Sequence, residues 1–150
     1  MKKIIYLISL TFLILQACSS SSSNSDNTAS TTQLIGKWEV FQVGTVPPGT
    51  VITGSEPLTN FQFACSTYKD YYLFGAQGTF KVATYNNNCS EGGGIGTYTK
   101  TDNIINLYQN NVLQVTMEIL SLTSSTLKVK YPSPAIGTPN TIVIMSFKKI

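Results

Sequence analysis

From residue 34 to residue 150 the chain is a succession of short runs rich in Val, Ile, Thr, Tyr and Phe, each ended within a few residues by glycine, proline or asparagine. No window carries the three-to-four spacing of an apolar helical stripe, so the runs read as strands. They span residues 36–44, 58–64, 69–74, 79–85, 95–100, 103–109, 112–122, 126–131 and 141–149, with 58–64 the weakest. Within them the alternation is clean: Leu127, Val129 and Tyr131 are set against Lys128 and Lys130, and Val143, Met145 and Phe147 against Ser146 and Lys148. Each strand therefore turns one face to a core and the other to water.

The links between runs are short. "GAQG" at 75–78, "TDN" at 101–103, "QNN" at 109–111 and "TSS" at 123–125 supply residues that accept tight or positive-φ turns, so neighbouring runs pair as an antiparallel meander. Such a meander leaves two exposed edges, which closure into a barrel removes, although a sandwich accommodates the same pattern. Alternation aims Trp38, Val40, Tyr72, Phe74, Phe80 and Val82 inward, followed by Tyr98, Ile105, Leu107, Leu113, Val115 and Met117. Leu127, Val129, Tyr131, Val143, Met145 and Phe147 complete the inward set. The carboxylates Glu39 and Glu118 fall on the solvent side, which argues against a catalytic pair.

Residues 1–17 have the layout of an export signal, with Lys2 and Lys3 before an apolar run, residues 4–15, that is too short to span a bilayer. The segment ends Leu15, Gln16, Ala17, Cys18, which resembles the lipobox of bacterial lipoproteins, with Gln16 a less usual choice. That resemblance implies cleavage before Cys18, lipidation of its thiol and acylation of its amino group. Two or more acyl chains anchor a protein stably without spanning the membrane. Ser19 follows the cysteine, and by similarity to lipoprotein sorting this favours the outer membrane of a cell envelope, on a face left open. Residues 18–33 then read as the lipidated cysteine and a serine-rich tether, too polar to offset the entropy of ordering. As a flexible coil it reaches roughly 20 Å.

Removal of the signal takes away two of the ten lysines and leaves eight against seven acidic residues. The chain has no arginine, and Lys37, Lys69, Lys81, Lys100, Lys128, Lys130, Lys148 and Lys149 are dispersed, so no nucleic-acid footprint exists. Cys65 and Cys89 remain after lipidation of Cys18. In an exported protein they are expected to pair, since neither a C-x-x-C spacing nor a histidine supports a redox or metal role. Closing a loop of about 25 residues would contribute roughly 3.5 kcal/mol on the chain-entropy model.

The order of small motifs is similar to that of the lipocalin-like lipoproteins common in Bacteroidetes. "LIGKWEV" at 34–40 resembles the Gly-x-Trp start of the first lipocalin strand. Cys65, Gly78 to Phe80, Cys89, Gly96 to Tyr98, Ile105 with Leu107, and Ile119 with Leu122, Thr123 and Leu127 follow in the family's order. Gln77, where Asp is commoner, and the insert at 45–57 depart from it. The resemblance implies an all-β, antiparallel up-and-down barrel of about eight strands over residues 34–150. It places Gly36 and Trp38 at the closed base as a plug.

No histidine, no arginine and no G-x-S-x-G elbow are present, so the chain is expected to be neither an enzyme nor a metal protein, with no cofactor. The glycine run "EGGGIG" at 91–96 lacks the following helix of a phosphate cradle and reads as a flexible loop beside Cys89. Two functions remain. In the first, the barrel binds a small hydrophobic molecule, with Tyr72, Phe74, Phe80, Tyr98, Leu107, Met117, Tyr131 and Met145 as contacts. In the second, the barrel is filled by its own side chains, and loops 45–57 and 86–95 contact a protein or glycan of the envelope.

Overall fold

The computed structural model describes residues 31–133 and 141–150. The signal segment, Cys18 and most of the tether lie outside these residues. A one-turn helix, α1 (Thr31–Leu34), leads into β1 (Gly36–Val46), so the last residues of the stretch read as tether are helical. After a two-residue strand β2 (Thr59–Asn60) come β3 (Tyr71–Phe74), β4 (Thr79–Tyr85), β5 (Glu91–Thr101), β6 (Ile104–Gln109), β7 (Val112–Leu122), β8 (Thr126–Ser133) and β9 (Thr141–Lys149).

Strands β3 to β9 pair in sequence order, each antiparallel to the next. β1 closes the ring by pairing with β3 over Gly36–Glu39 and with β9 over Trp38–Val46. The result is a closed eight-stranded antiparallel barrel, with β2 laid on β1 as a short addition. Turn chemistry explains the connections: Asn110 and Asn111 take φ of 51° and 62°, Asp102 takes 49° and Gly78 takes 72°.

The core is the inward alternation. Trp38, Phe74, Ile105, Leu127, Val129 and Phe147 are fully buried, and Val40, Phe80, Leu107, Met117 and Ile119 nearly so. Leu113 is the exception: it is exposed, because the β6–β7 register shifts where Leu107 faces Val115 but Tyr108 faces Leu113. The extra residue, Gln114, makes a bulge that reverses the phase of everything before it on β7. A second bulge at Phe41 turns β1 over, so that Val43 rather than Gln42 faces the inward Met145.

The weak run at 58–64 contributes only Thr59 and Asn60 as strand, although Phe61 N–H still donates to Phe41 O (2.9 Å) and Phe61 and Phe63 pack on the core. Cys65 and Cys89 are joined, with Cα atoms 4.9 Å apart, pinning this segment to the β4–β5 turn.

Both segments nominated for partner contacts, 45–57 and 86–95, are tied into the barrel. The insert at 45–57 folds back as a strap on the outer wall. A Cβ on Gly44 would lie 2.8 Å from Leu58 Cδ2, and Ile144, cross-strand from Gly44, is fully buried. Glu56 secures the strap: Oε1 accepts from Thr53 N–H and from Gly54 N–H (2.9 Å), and Oε2 faces Lys128 Nζ at 3.6 Å. Burial pushes this carboxyl upward, but the N–H groups of Glu56, Gly54 and Thr53 outweigh that and hold it at about 2, against 4.5 for the free group. A carboxylate with a depressed folded pKa contributes its stability fully above its unfolded value and loses it as pH falls through its folded one. Amide exchange at Thr53 and Gly54 should therefore accelerate as pH is lowered from about 4.5 towards 2, after correction for intrinsic rates. Unchanged protection over that window would show that Glu56 does not hold the strap.

The run at 91–96 is not a flexible loop either. β5 begins at Glu91, and Glu91, Gly92, Gly93 and Gly94 pair with Tyr85, Thr84, Ala83 and Val82. Glu91 fixes that end through Lys81 (2.6 Å) and the Tyr85 hydroxyl (3.2 Å). The connection shrinks to residues 86–90, where Asn86 Oδ1 accepts from the N–H groups of Asn88 and Ser90 (both 3.0 Å).

Candidate functional site

The barrel base is sealed from the sequence upward. Gly36 has φ +135°, a backbone conformation that side-chain-bearing residues rarely adopt, at the point where β1 starts beside the Lys149 side chain. Trp38 follows, fully buried, its Nε1–H donating to Leu34 O at 2.7 Å. Lys149 Nζ lies 5.0 Å from the indole and donates to Gln33 O at 3.1 Å, closing α1 over the base. Gly36 and Trp38 thus lie where β1 starts, packed against α1 and the Lys149 side chain.

Above the plug lies a layer of rings. Phe74 meets Tyr98 edge-on at 5.1 Å, and Tyr72 meets Phe147 edge-on at 5.1 Å. The Tyr98 hydroxyl donates to Gly75 O at 3.0 Å, so this tyrosine is satisfied within the floor. Burial pushes its pKa up.

Past this layer the inner wall of β5 has no side chains. Counting back from the inward Tyr98, the next inward positions are Gly96 and Gly94, opposite Phe80 and Val82. At Gly96 a Cβ would fall 2.7 Å from Phe80 Cε1 and 2.0 Å from Tyr108 O, so the Phe80 ring already uses that space. At Gly94 the nearest atoms all belong to the side-chain amide of Gln109, the closest at 3.0 Å, and no backbone atom crowds the position as closely.

The consequence is a cavity of about 340 Å³ inside the barrel. Tyr72, Phe80, Val82, Leu107, Val115, Met117 and Tyr131 form its walls with Gly93 and Gly94, while the exposed amides of Gln109 and Gln114 stand at its rim. This size lies at the small end of ligand pockets, roughly 300–1,000 Å³. Burial pushes the Tyr72 hydroxyl well above the usual phenol range, helped by the nearby Tyr131 and Asp70, and burial also raises Tyr131. Both phenols therefore stay neutral and keep a proton available to donate.

Of the eight residues nominated as ligand contacts, Tyr72, Phe80, Leu107, Met117 and Tyr131 line this cavity. Phe74, Tyr98 and Met145 do not; they are buried in the packed layers around it. Gly93, Gly94, Gln109 and Gln114 escaped the sequence reading. For Gly94 a signal existed, since alternation carried back from Tyr98 puts Gly96, Gly94 and Gly92 in succession on the inner phase. Gln114 had none, because it sits on the bulge.

An outer groove of about 500 Å³ runs over Leu73, Lys81, Ile95, Thr97 and Asn110, larger than the cavity but on the outside of the wall. Glu118 is tied to Lys130 at 2.9 Å on the outer face, and no acidic pair is assembled there. Among the described residues no three His, Cys, Asp or Glu side chains gather to hold a metal. No described helix is long and apolar enough to cross a membrane.

A family model for the lipocalin-like domain matches residues 34–129. Among solved structures, a lipocalin-like protein of Bacteroides uniformis superposes with a TM-score of 0.52 at 14% identity, covering 79% of this chain and 99% of that one. A protein of Bacteroides eggerthii gives 0.47 at 16% identity over 77% and 98% of the two chains. Bovine odorant-binding protein, in complex with undecanal, gives 0.47 at 16% identity over 81% and 74%. No curated protein matches the chain. The match to the family model over most of the closed barrel, with its Gly-x-Trp opening at the base, shows that the chain belongs to the lipocalin-like domain family.

Proposed function

We propose that the protein is a lipid-anchored binding module that holds one small, mostly apolar molecule inside its barrel. The cavity over Gly94 carries this reading: a self-filled barrel would place a side chain on that inner row, and here the wall is bare. Apolar walls supply contact area, and two phenols and two amides supply orientation, the usual division of labour in a ligand pocket. The alternative of envelope contacts through long loops loses support, because the strap is fastened to the wall and the second loop is a short turn.

The anchor rests on the Leu15–Cys18 motif and on the bacterial outer-membrane sorting that Ser19 implies. α1 enters beside Trp38 at the closed base, so a lipidated Cys18 would tie the barrel by the end away from the ligand.

Two readouts test the proposal on one preparation. Denaturing extraction of the purified protein should release an apolar molecule detectable by mass spectrometry, or, if the cavity is recovered empty, apolar probes should bind saturably with one per chain. Cys18→Ser should move the protein from the membrane fraction to the soluble fraction of the envelope. Failure of extraction and probes together sinks the binding role, whereas continued membrane association of Cys18→Ser sinks the anchor.

A further inference from the structure

The polar groups of the cavity narrow the kind of molecule it holds, an inference that rests on the small-molecule reading above. Its lining contains two phenols and two amides and no charged side chain. Among the described residues neither the Tyr72 nor the Tyr131 hydroxyl has a protein hydrogen-bond partner, unlike Tyr98, whose hydroxyl is bound to Gly75 O in the floor. Neither hydroxyl is sealed from water, so each is free to turn towards an incoming oxygen.

Charge is poorly served at the same place. On β8, the strand that carries Tyr131, Lys130 is engaged by Glu118 on the outer face at 2.9 Å, and Lys128 is engaged by the strap. Lys81, on β4 next to Val82, is engaged by Glu91 at 2.6 Å. Asp70 lies close enough to Tyr72 for its charge to be felt there, which disfavours an anion, and its Oδ1 is already used by Tyr85 N–H at 2.9 Å. An ionised carboxylate entering the cavity would leave water with no cation to meet it, and an ammonium would find only Asp70, which does not line the cavity and already accepts from Tyr85 N–H.

We infer that the cavity selects uncharged molecules with an apolar body and one hydrogen-bond-accepting oxygen, such as ketones, aldehydes, alcohols or esters, over carboxylates and amines of the same length. The oxygen is received by Tyr72 and Tyr131, and the chain lies along Leu107, Val115 and Met117 towards Gly94.

Calorimetric titration of the purified protein at neutral pH with decanone, decanol, decanoate and decylammonium tests this. Decanone and decanol should bind, and the two ions should bind at least about tenfold more weakly or not at all. The double variant Tyr72→Phe/Tyr131→Phe keeps the rings and should lose about tenfold in decanone affinity. Decanoate binding as tightly as decanone overturns the inference, as does unchanged decanone affinity in a folded double variant. Should that variant not fold, the ranking of the four probes on the unaltered protein decides alone. If none of the four binds, it is the small-molecule reading that falls, and this inference falls with it.

Discussion

Gly94→Ile is expected to abolish uptake of apolar molecules while leaving the barrel folded. Gly94 is the inward position where β5 leaves its wall bare, opposite Val82. Its φ is not in the left-handed region, so a side chain imposes no backbone strain. The only close neighbour of a new Cβ is the Gln109 amide at 3.0 Å, the far end of an exposed, flexible side chain that can move aside. A β-branched residue is also a better strand former than glycine, by up to about 1 kcal/mol, so the melting temperature should hold or rise. The other inner glycine does not offer this choice, because the Tyr108 carbonyl and the Phe80 ring occupy its space. Thermal melts and calorimetric titration on the same sample check the prediction. Undiminished binding by a folded Gly94→Ile protein would show that the ligand sits elsewhere.

Trp38→Ala is expected to have the largest effect on stability. The indole is fully buried, its N–H satisfies the Leu34 carbonyl, and its position closes the base beneath α1 and Lys149. Truncating a buried aromatic of this size costs about 3–5 kcal/mol. Domains of this kind are stable by only about 5–15 kcal/mol, so the loss is a large fraction of the total and the unfolding midpoint should fall steeply. Trp38→Phe separates the contributions: it keeps a ring but leaves Leu34 O without its donor, a loss of about 1–3 kcal/mol. Urea unfolding of the three proteins, followed by circular dichroism, measures both. A loss below about 1 kcal/mol for Trp38→Ala would mean the base does not depend on the plug. Trp38 does not line the cavity, so its fluorescence is a poor reporter of binding.

The parts of this molecule legible in its sequence are those governed by local chemistry. Alternation aimed Trp38, Val40, Phe74, Leu127, Val129 and Phe147 inward, and all are core. Asn110 and Asn111 announced a tight turn and adopt the positive φ it needs. Cys65 and Cys89, expected to pair, are joined. What escaped reading depends on contacts between distant segments. A bulge inverts the phase of a strand without changing its composition, which is why Leu113 was aimed inward and is exposed, and why Gln114 went unnoticed. The glycines at 92–94 have low strand propensity, and it is the ladder offered by β4, with Glu91 fastened to Lys81 and Tyr85, that makes them strand. The strap is held by Glu56 and Lys128, seventy-two positions apart, a partnership invisible to any local window.

The cavity followed the same division. Its aromatic and aliphatic walls were nominated by alternation, which brought Tyr72, Phe80, Leu107, Met117 and Tyr131 to it. The empty space between them was not, because it depends on which inner positions carry nothing. Phe74, Tyr98 and Met145 share the inward phase yet sit in packed layers, and phase alone does not separate floor from wall.

The central claim is that the ligand lies inside the barrel, and its most direct test is where a heavy-atom probe binds. Crystals soaked in bromodecane should give an anomalous bromine peak inside the barrel, between Gly94, Met117 and Tyr131. A peak confined to the outer groove along Leu73 and Ile95, with the interior empty, would contradict it.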